Sequence, residues 1–253
     1  DAALASSVRF FNVNGATDVT FRGITFNGSG KFTTAVITVQ SGSTGFTANG
    51  VIINGGDTAL TASACLELRA GDAMVDNCRF SNLGQGVRVS PGSSLQERVS
   101  VRQSRFDNIS SRGFNLQTSS GRRVSSWTLV CGVFTALAAD CQPVRIDAAG
   151  GTVDFGMICE NRITATGLVP GSSDTISLNN GVTDTVISEN IGENDSDVFI
   201  NVAGGCKRIV ITNNEIKGVH NVPINVGGDA DATDANTDIT IVGNQGRNGV
   251  LWG

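Results

Sequence analysis

Glu67 stands in the short segment Leu66-Glu67-Leu68, and Asp147 follows Val144-Arg145-Ile146. Two carboxylates can hydrolyse a glycosidic bond, one protonating the leaving oxygen and the other acting as base or nucleophile, when they lie about 5 to 9.5 Å apart. Segments of the same type carry Arg69, Arg88, Asn115, Gln117, Arg145 and Asn179. Guanidinium and amide groups in regular array suit the hydroxyls and acidic groups of a sugar chain. Glu67 and Asp147 are therefore the candidate catalytic residues, and the other six are the candidate substrate-binding residues. A second acidic group, Glu160, Glu189, Asp195 and Asp197, falls in or near later turns. The run from Glu189 to Asp197 has the oxygen ligands to hold calcium, but it reads first as a solvated acidic turn. No metal site and no cofactor are assigned.

These residues are spaced by a repeat of the pattern apolar, x, apolar, x, x, small or Asn, x, apolar. It occurs as Val19-Thr20-Phe21-Arg22-Gly23-Ile24-Thr25-Phe26, as Val75 to Phe80, as Val101 to Phe106, and in weaker copies down to Ile241-Gly246. Its sixth positions are 24, 51, 78, 104, 132, 161, 190, 214 and 244, about 27 residues apart. Short alternating strands at that period predict an all-β parallel solenoid of about nine coils, one domain over residues 1–253. Each coil carries a second strand whose apolar flanks face inward and whose middle residue faces out. The outward row is then Thr38, Glu67, Arg88, Asn115, Arg145, Ser177, Asn201 and Asn225, with Gln40, Arg69, Ser90, Gln117, Asp147 and Asn179 two positions on. This polar strip parallel to the axis suits a linear polysaccharide.

Other rows follow from the same register. Arg22, Asn49, Asp76 and Arg102 give way to Val130 and Cys159, a change that marks a possible subunit contact. Arg79 and Arg105 fall on neighbouring coils and must repel unless a carboxylate, with Asp107 and Asp76 at hand, or an external anion sits between them. Asn161, Asn190, Asn214 and Asn244 occupy one repeat position, and Asn27, Asn54, Asn82 and Asn108 another, as stacked amide ladders would.

Composition narrows the function. The net charge is −5 with no basic tail, which disfavours nucleic acid. No apolar run is long enough for membrane insertion. The chain starts without Met or a signal peptide, as a processed chain or a fragment would. Six cysteines match no zinc spacing; a Cys131–Cys141 disulfide is open, with six buried free thiols the preferred reading.

Coils of 24 to 30 residues with V-x-F-x-G-I-x-F strands and an inward Asn ladder resemble the right-handed parallel β-helix superfamily. Pectate-lyase-like enzymes, polygalacturonase-like hydrolases and bacteriophage tailspike and tail-fibre depolymerases belong to it. The opening from Phe10 to Phe26 is similar to an early tailspike coil. The resemblance implies binding and endo-hydrolysis of a bacterial surface polysaccharide, a homotrimer, and a place in a virion tail or outside the cell. Two alternatives stand beside it: a non-catalytic adhesion or structural β-helix, and a polysaccharide lyase. Known family signatures are mostly missing. There is one histidine, His220, there is no tyrosine, and the three lysines, Lys31, Lys207 and Lys217, fall near turns. With no amphipathic helix to cap either end, Trp252 is expected to close the last coil.

Overall fold

The computed structural model describes residues 10–28, 35–56, 64–135, 141–164, 174–193, 197–218, 222–227 and 235–247. All regular structure in these residues is β, and every strand pair is parallel. The chain winds round three sides. Side 1 takes Phe11–Val13, Ile37–Val39, Ala64–Leu68, the later parts of Arg79–Val89 and Arg105–Gln117, then Val144–Asp147, Asp174–Asn179, Val198–Ala203 and Val222–Val226. Side 2 is a nine-stranded sheet from Thr20–Arg22 to Thr237–Val242. Side 3 runs from Thr25–Asn27, through the first parts of the same two long strands, to Gln245–Arg247. The predicted parallel solenoid is therefore the observed fold, and each repeat supplies one rung to each side.

Rung stacking sorts the residues as the period-2 pattern requires. Ile37, Leu66, Val87, Phe114, Val144 and Ile176 pair in unbroken register and are buried. On side 3, Phe80, Phe106 and Phe134 stack with centroids 5.2 and 4.6 Å apart, their planes nearly parallel. Each such ring pair adds about 0.5–1.5 kcal/mol beyond its buried area. Where a ring is too large for the interior, the next rung gives way. Gly156 pairs with Trp127, and a Cβ on it would lie 2.1 Å from the indole.

Corners are made by left-handed residues. In all nine rungs of side 2, two positive-φ residues lie five positions apart, as Asp18 and Gly23, Asp72 and Asn77, or Asp184 and Glu189. Only some are Gly; Asn, Asp and other polar residues fill most of the rest at modest strain, with Cys131 and Phe155 the exceptions. Side 3 connects to side 1 in a different way. Nine residues link Asn27 to Ile37 and nine link Asn54 to Ala64; then none intervene within Arg79–Val89 or Arg105–Gln117. Eight, nine, four and four follow in later rungs. The sequence pattern had treated these two strands as separate pairs of short ones. They are continuous strands in which Asn82 and Asn108, both left-handed, stand at the corner, and the second carries one extra residue between Ile109 and Arg112.

Asparagine columns behave as expected. Asn190 Oδ1 accepts from the backbone N of Asn161 at 3.1 Å and from its Nδ2 at 2.9 Å, and Asn214 serves Asn190 in the same way. The earlier column is joined by Asn108 Nδ2 donating to Asn82 and Asn82 donating to Asn54, at 2.7 and 2.8 Å. All six cysteines are free, so the Cys131–Cys141 bridge is not formed. Cys131 is only half-buried, which corrects the expectation of six buried thiols. Its left-handed corner position turns it out of the core. Lys31, Asp195, His220 and Trp252 lie outside the described residues.

Candidate functional site

The polar row of side 1 is in the register that the repeat predicts. Thr38 pairs with Glu67, Glu67 with Arg88, Arg88 with Asn115, Asn115 with Arg145, Arg145 with Ser177, and Ser177 with Asn201. Gln117, Asp147 and Asn179 align two positions on. One expectation needs correction: facing outward does not make these residues solvated. Thr38, Glu67, Asn115, Ser177 and Asp147 are all under 9 % exposed. Rungs only about 4.8 Å apart let neighbouring side chains lie over one another.

The structure does not bring Glu67 and Asp147 together. Three rungs and two residues along the strand separate them, about 16 Å from strand spacing and rise. That exceeds the separation for either glycosidase geometry. Each carboxylate is instead held by its own arginine. Arg69 Nη2 donates to both oxygens of Glu67 at 3.0 Å. Asp147 accepts from Arg145 at 2.8 Å, Asn180 Nδ2 at 2.8 Å and the backbone N of Ala149 at 3.0 Å. Burial raises the Asp147 pKa, but the bonds from Asn180 and Arg145 outweigh it and hold the carboxyl below the usual aspartate range.

Arginine is in excess on this side. Arg88 and Arg112 form no ion pair or hydrogen bond among the described residues, and the buried Nε of Arg88 has no acceptor. Arg112 missed prediction because it lies off the row, next to an irregularity between Ile109 and Arg112 that shifts the register against the preceding strand. Burial depresses its guanidinium pKa, and the charges of Arg145 and Arg88 push the same way, opposed by Asp147. An open groove of about 330 Å³ begins beside the row, lined by Gln40, Glu67, Arg69, Arg88, Ser90 and Arg122. Of six buried polar atoms without a partner among the described residues, three belong to the row: Thr38 Oγ1, Arg88 Nε and Asn115 Oδ1.

The other sides are closed by comparison. Asp107 sits between Arg79 and Arg105 on side 3, accepting from both at 2.8 to 3.0 Å and from Thr135. Burial raises its pKa, but the bonds from Arg105 and Thr135 outweigh this and lower it. An external anion is not needed there. On side 2, Asp76 accepts from Asn49 and Arg102 at 3.1 Å. Further along side 2, Phe155 is 58 % and Met157 41 % exposed. Glu160 and Glu189 share the corner between sides 2 and 3, whereas Asp197 precedes a side 1 strand, so the acidic group is dispersed. Among the described residues no three His, Cys, Asp or Glu side chains form a metal-holding group, and no helix is long and apolar enough to cross a membrane.

The fold and its side 1 row define a parallel β-solenoid with a polar, arginine-rich face. No family model matches the sequence, and no curated protein does. A solved structure similar to it is that of PfbA, a surface adhesin of Streptococcus pneumoniae, with a TM-score of 0.53 and 13 % identity. The likeness covers 87 % of this chain and 64 % of that one, so this chain spans less than two thirds of the adhesin's length. At that identity the likeness is one of fold.

Proposed function

We propose that this solenoid is a non-catalytic adhesion module of an extracellular surface, holding a linear polysaccharide along side 1. The observation that carries the reading is the concentration of unpartnered buried polar atoms in one row, at Thr38, Arg88 and Asn115. Native proteins satisfy nearly all such groups, so three without a partner in one row set side 1 apart from the other two sides. Rungs in register space polar side chains evenly along the axis, as the units of a linear glycan are spaced along theirs. The adhesin fold supports the reading by analogy. Glu67, Arg69, Arg88, Asn115, Gln117, Arg145, Asp147 and Asn179 are then binding residues.

Depolymerisation, as in a tailspike, is the rival. It draws on the same face, but its candidate pair, Glu67 and Asp147, lies three rungs apart and each is paired with an arginine. Incubation with capsular, lipopolysaccharide and pectic glycans separates the two. Retention of a glycan at unchanged chain length supports adhesion. New reducing ends would restore a hydrolase, and an ultraviolet-absorbing unsaturated product would restore a lyase.

A further inference from the structure

Glu67 and Asp147 each answer one arginine, Arg69 and Arg145. Rungs four to six of side 1 therefore carry Arg88 and Arg112 uncompensated, with the charge of Arg145 close to Arg112. The nearest further carboxylate on this side, Asp174, begins the next rung and accepts from Ser177 and Asn201. Like charges crowded on a half-buried surface cost stability unless something neutralises them. Elsewhere the chain supplies that neutraliser: Asp107 for Arg79 and Arg105, Asp154 for Arg123, and Asp184 for Arg208. Here Arg88 borders the groove and neither it nor Arg112, one rung on, has an ion pair among the described residues. Rungs four and five, which carry Arg88 and Arg112, are also those where one strand runs unbroken from side 3 to side 1.

We infer that Arg88 and Arg112, with Arg145 beside them, form an anion subsite that takes a carboxylate or sulfate ester carried by the bound polysaccharide. The planar fork of guanidinium matches two oxygens of such a group, and an ammonium would not. The glycan part of this inference rests on the adhesion reading; the anion site itself rests on the arginine cluster.

The test compares wild type, R88Q/R112Q, R88K/R112K and the control R98Q, whose arginine pairs with Asp72 on side 2. Polygalacturonate, dextran sulfate and neutral dextran are titrated by calorimetry at two salt concentrations, and melting is followed with and without inorganic sulfate. One or both acidic chains should bind wild type and R98Q, and which of them binds tells carboxylate from sulfate ester. R88Q/R112Q should lose roughly tenfold or more in affinity per guanidinium removed, and R88K/R112K should recover only part of it. Sulfate should raise the melting temperature of wild type but not that of R88Q/R112Q, and the ligand-free double variant should melt no lower than wild type. A variant that melts lower, or that binds acidic chains as wild type does, overturns the subsite in favour of a structural role. Dextran binding as tightly as the acidic chains also overturns it while leaving adhesion standing. Stabilisation by sulfate that depends on Arg88 and Arg112, with no polysaccharide bound, supports the subsite and removes the adhesion reading.

Discussion

Asp147 shows how closely a buried carboxylate in this molecule is tied to its neighbours. Three donors hold it ionised, and Asp107 is held by two arginines and a threonine. Both folded pKa values are depressed. Their contribution is thus present above the ordinary aspartate value of about 3.9 and lost as pH falls through the lower folded value. Urea titrations below pH 4 should show stability falling, and the fall should be shallower in Asp107→Asn and Asp147→Asn. At neutral pH, Asp147→Asn should cost about 1–3 kcal/mol, because Arg145 loses its charged partner. Phe155 offers the opposite case. It is an exposed aromatic at φ 51°, where other rungs place Asp72, Ser126 and Asp184. Phe155→Asn should stabilise the fold by about 0.5–1 kcal/mol in denaturant melts; a loss would count against the backbone argument. Cys131, the least buried of the six thiols, should be alkylated in the native protein before the others, which peptide mapping would read. Cys78 and Cys141, pushed by burial up to about 11 and 12, should lag behind it.

Within the elements, stability depends on columns more than on single strands. Asn190→Ala removes the acceptor of two buried donors on Asn161 and the donor to Ile158 O and Asn214 Oδ1. At about 1–3 kcal/mol per orphaned group, the loss should be about 3–5 kcal/mol. Asn244→Ala, at the half-exposed end of the same ladder, should cost clearly less, because water can replace its oxygen. Gly156→Ala should cost about 1–3 kcal/mol from overpacking against Trp127, and Trp127→Phe in the same chain should recover part of it. These columns were legible in the sequence because packing is periodic: the anchor positions, the outward rows and both Asn ladders all follow from one spacing. Arg112 was not legible, since it sits beside a register shift that no repeat reveals. The carboxylate pair was misjudged for a related reason. The repeat placed Glu67 and Asp147 on one face, but their separation is counted in rungs, and three rungs are too many.

For the whole molecule, contacts between rungs are nearly all between neighbours, so unfolding should spread along the axis instead of occurring at once. In the last described rung Ile241 is 47 % and Val242 59 % exposed, and in the first Phe11 packs against Phe21 and Phe26 with centroids 5.1 and 5.7 Å apart. Hydrogen exchange should therefore be fastest in Thr237–Val242 and slowest in the middle rungs, with no uniform protection across the sheet. The left-handed pairs five residues apart have a consequence for how such a chain can change. Because side 2 keeps its corner-to-corner length in every rung while the link from side 3 to side 1 ranges from none to nine residues, one flank works as a spine of constant gauge. Insertions grafted between sides 3 and 1 should leave the winding intact, and a single residue added within side 2 should throw every later rung out of phase.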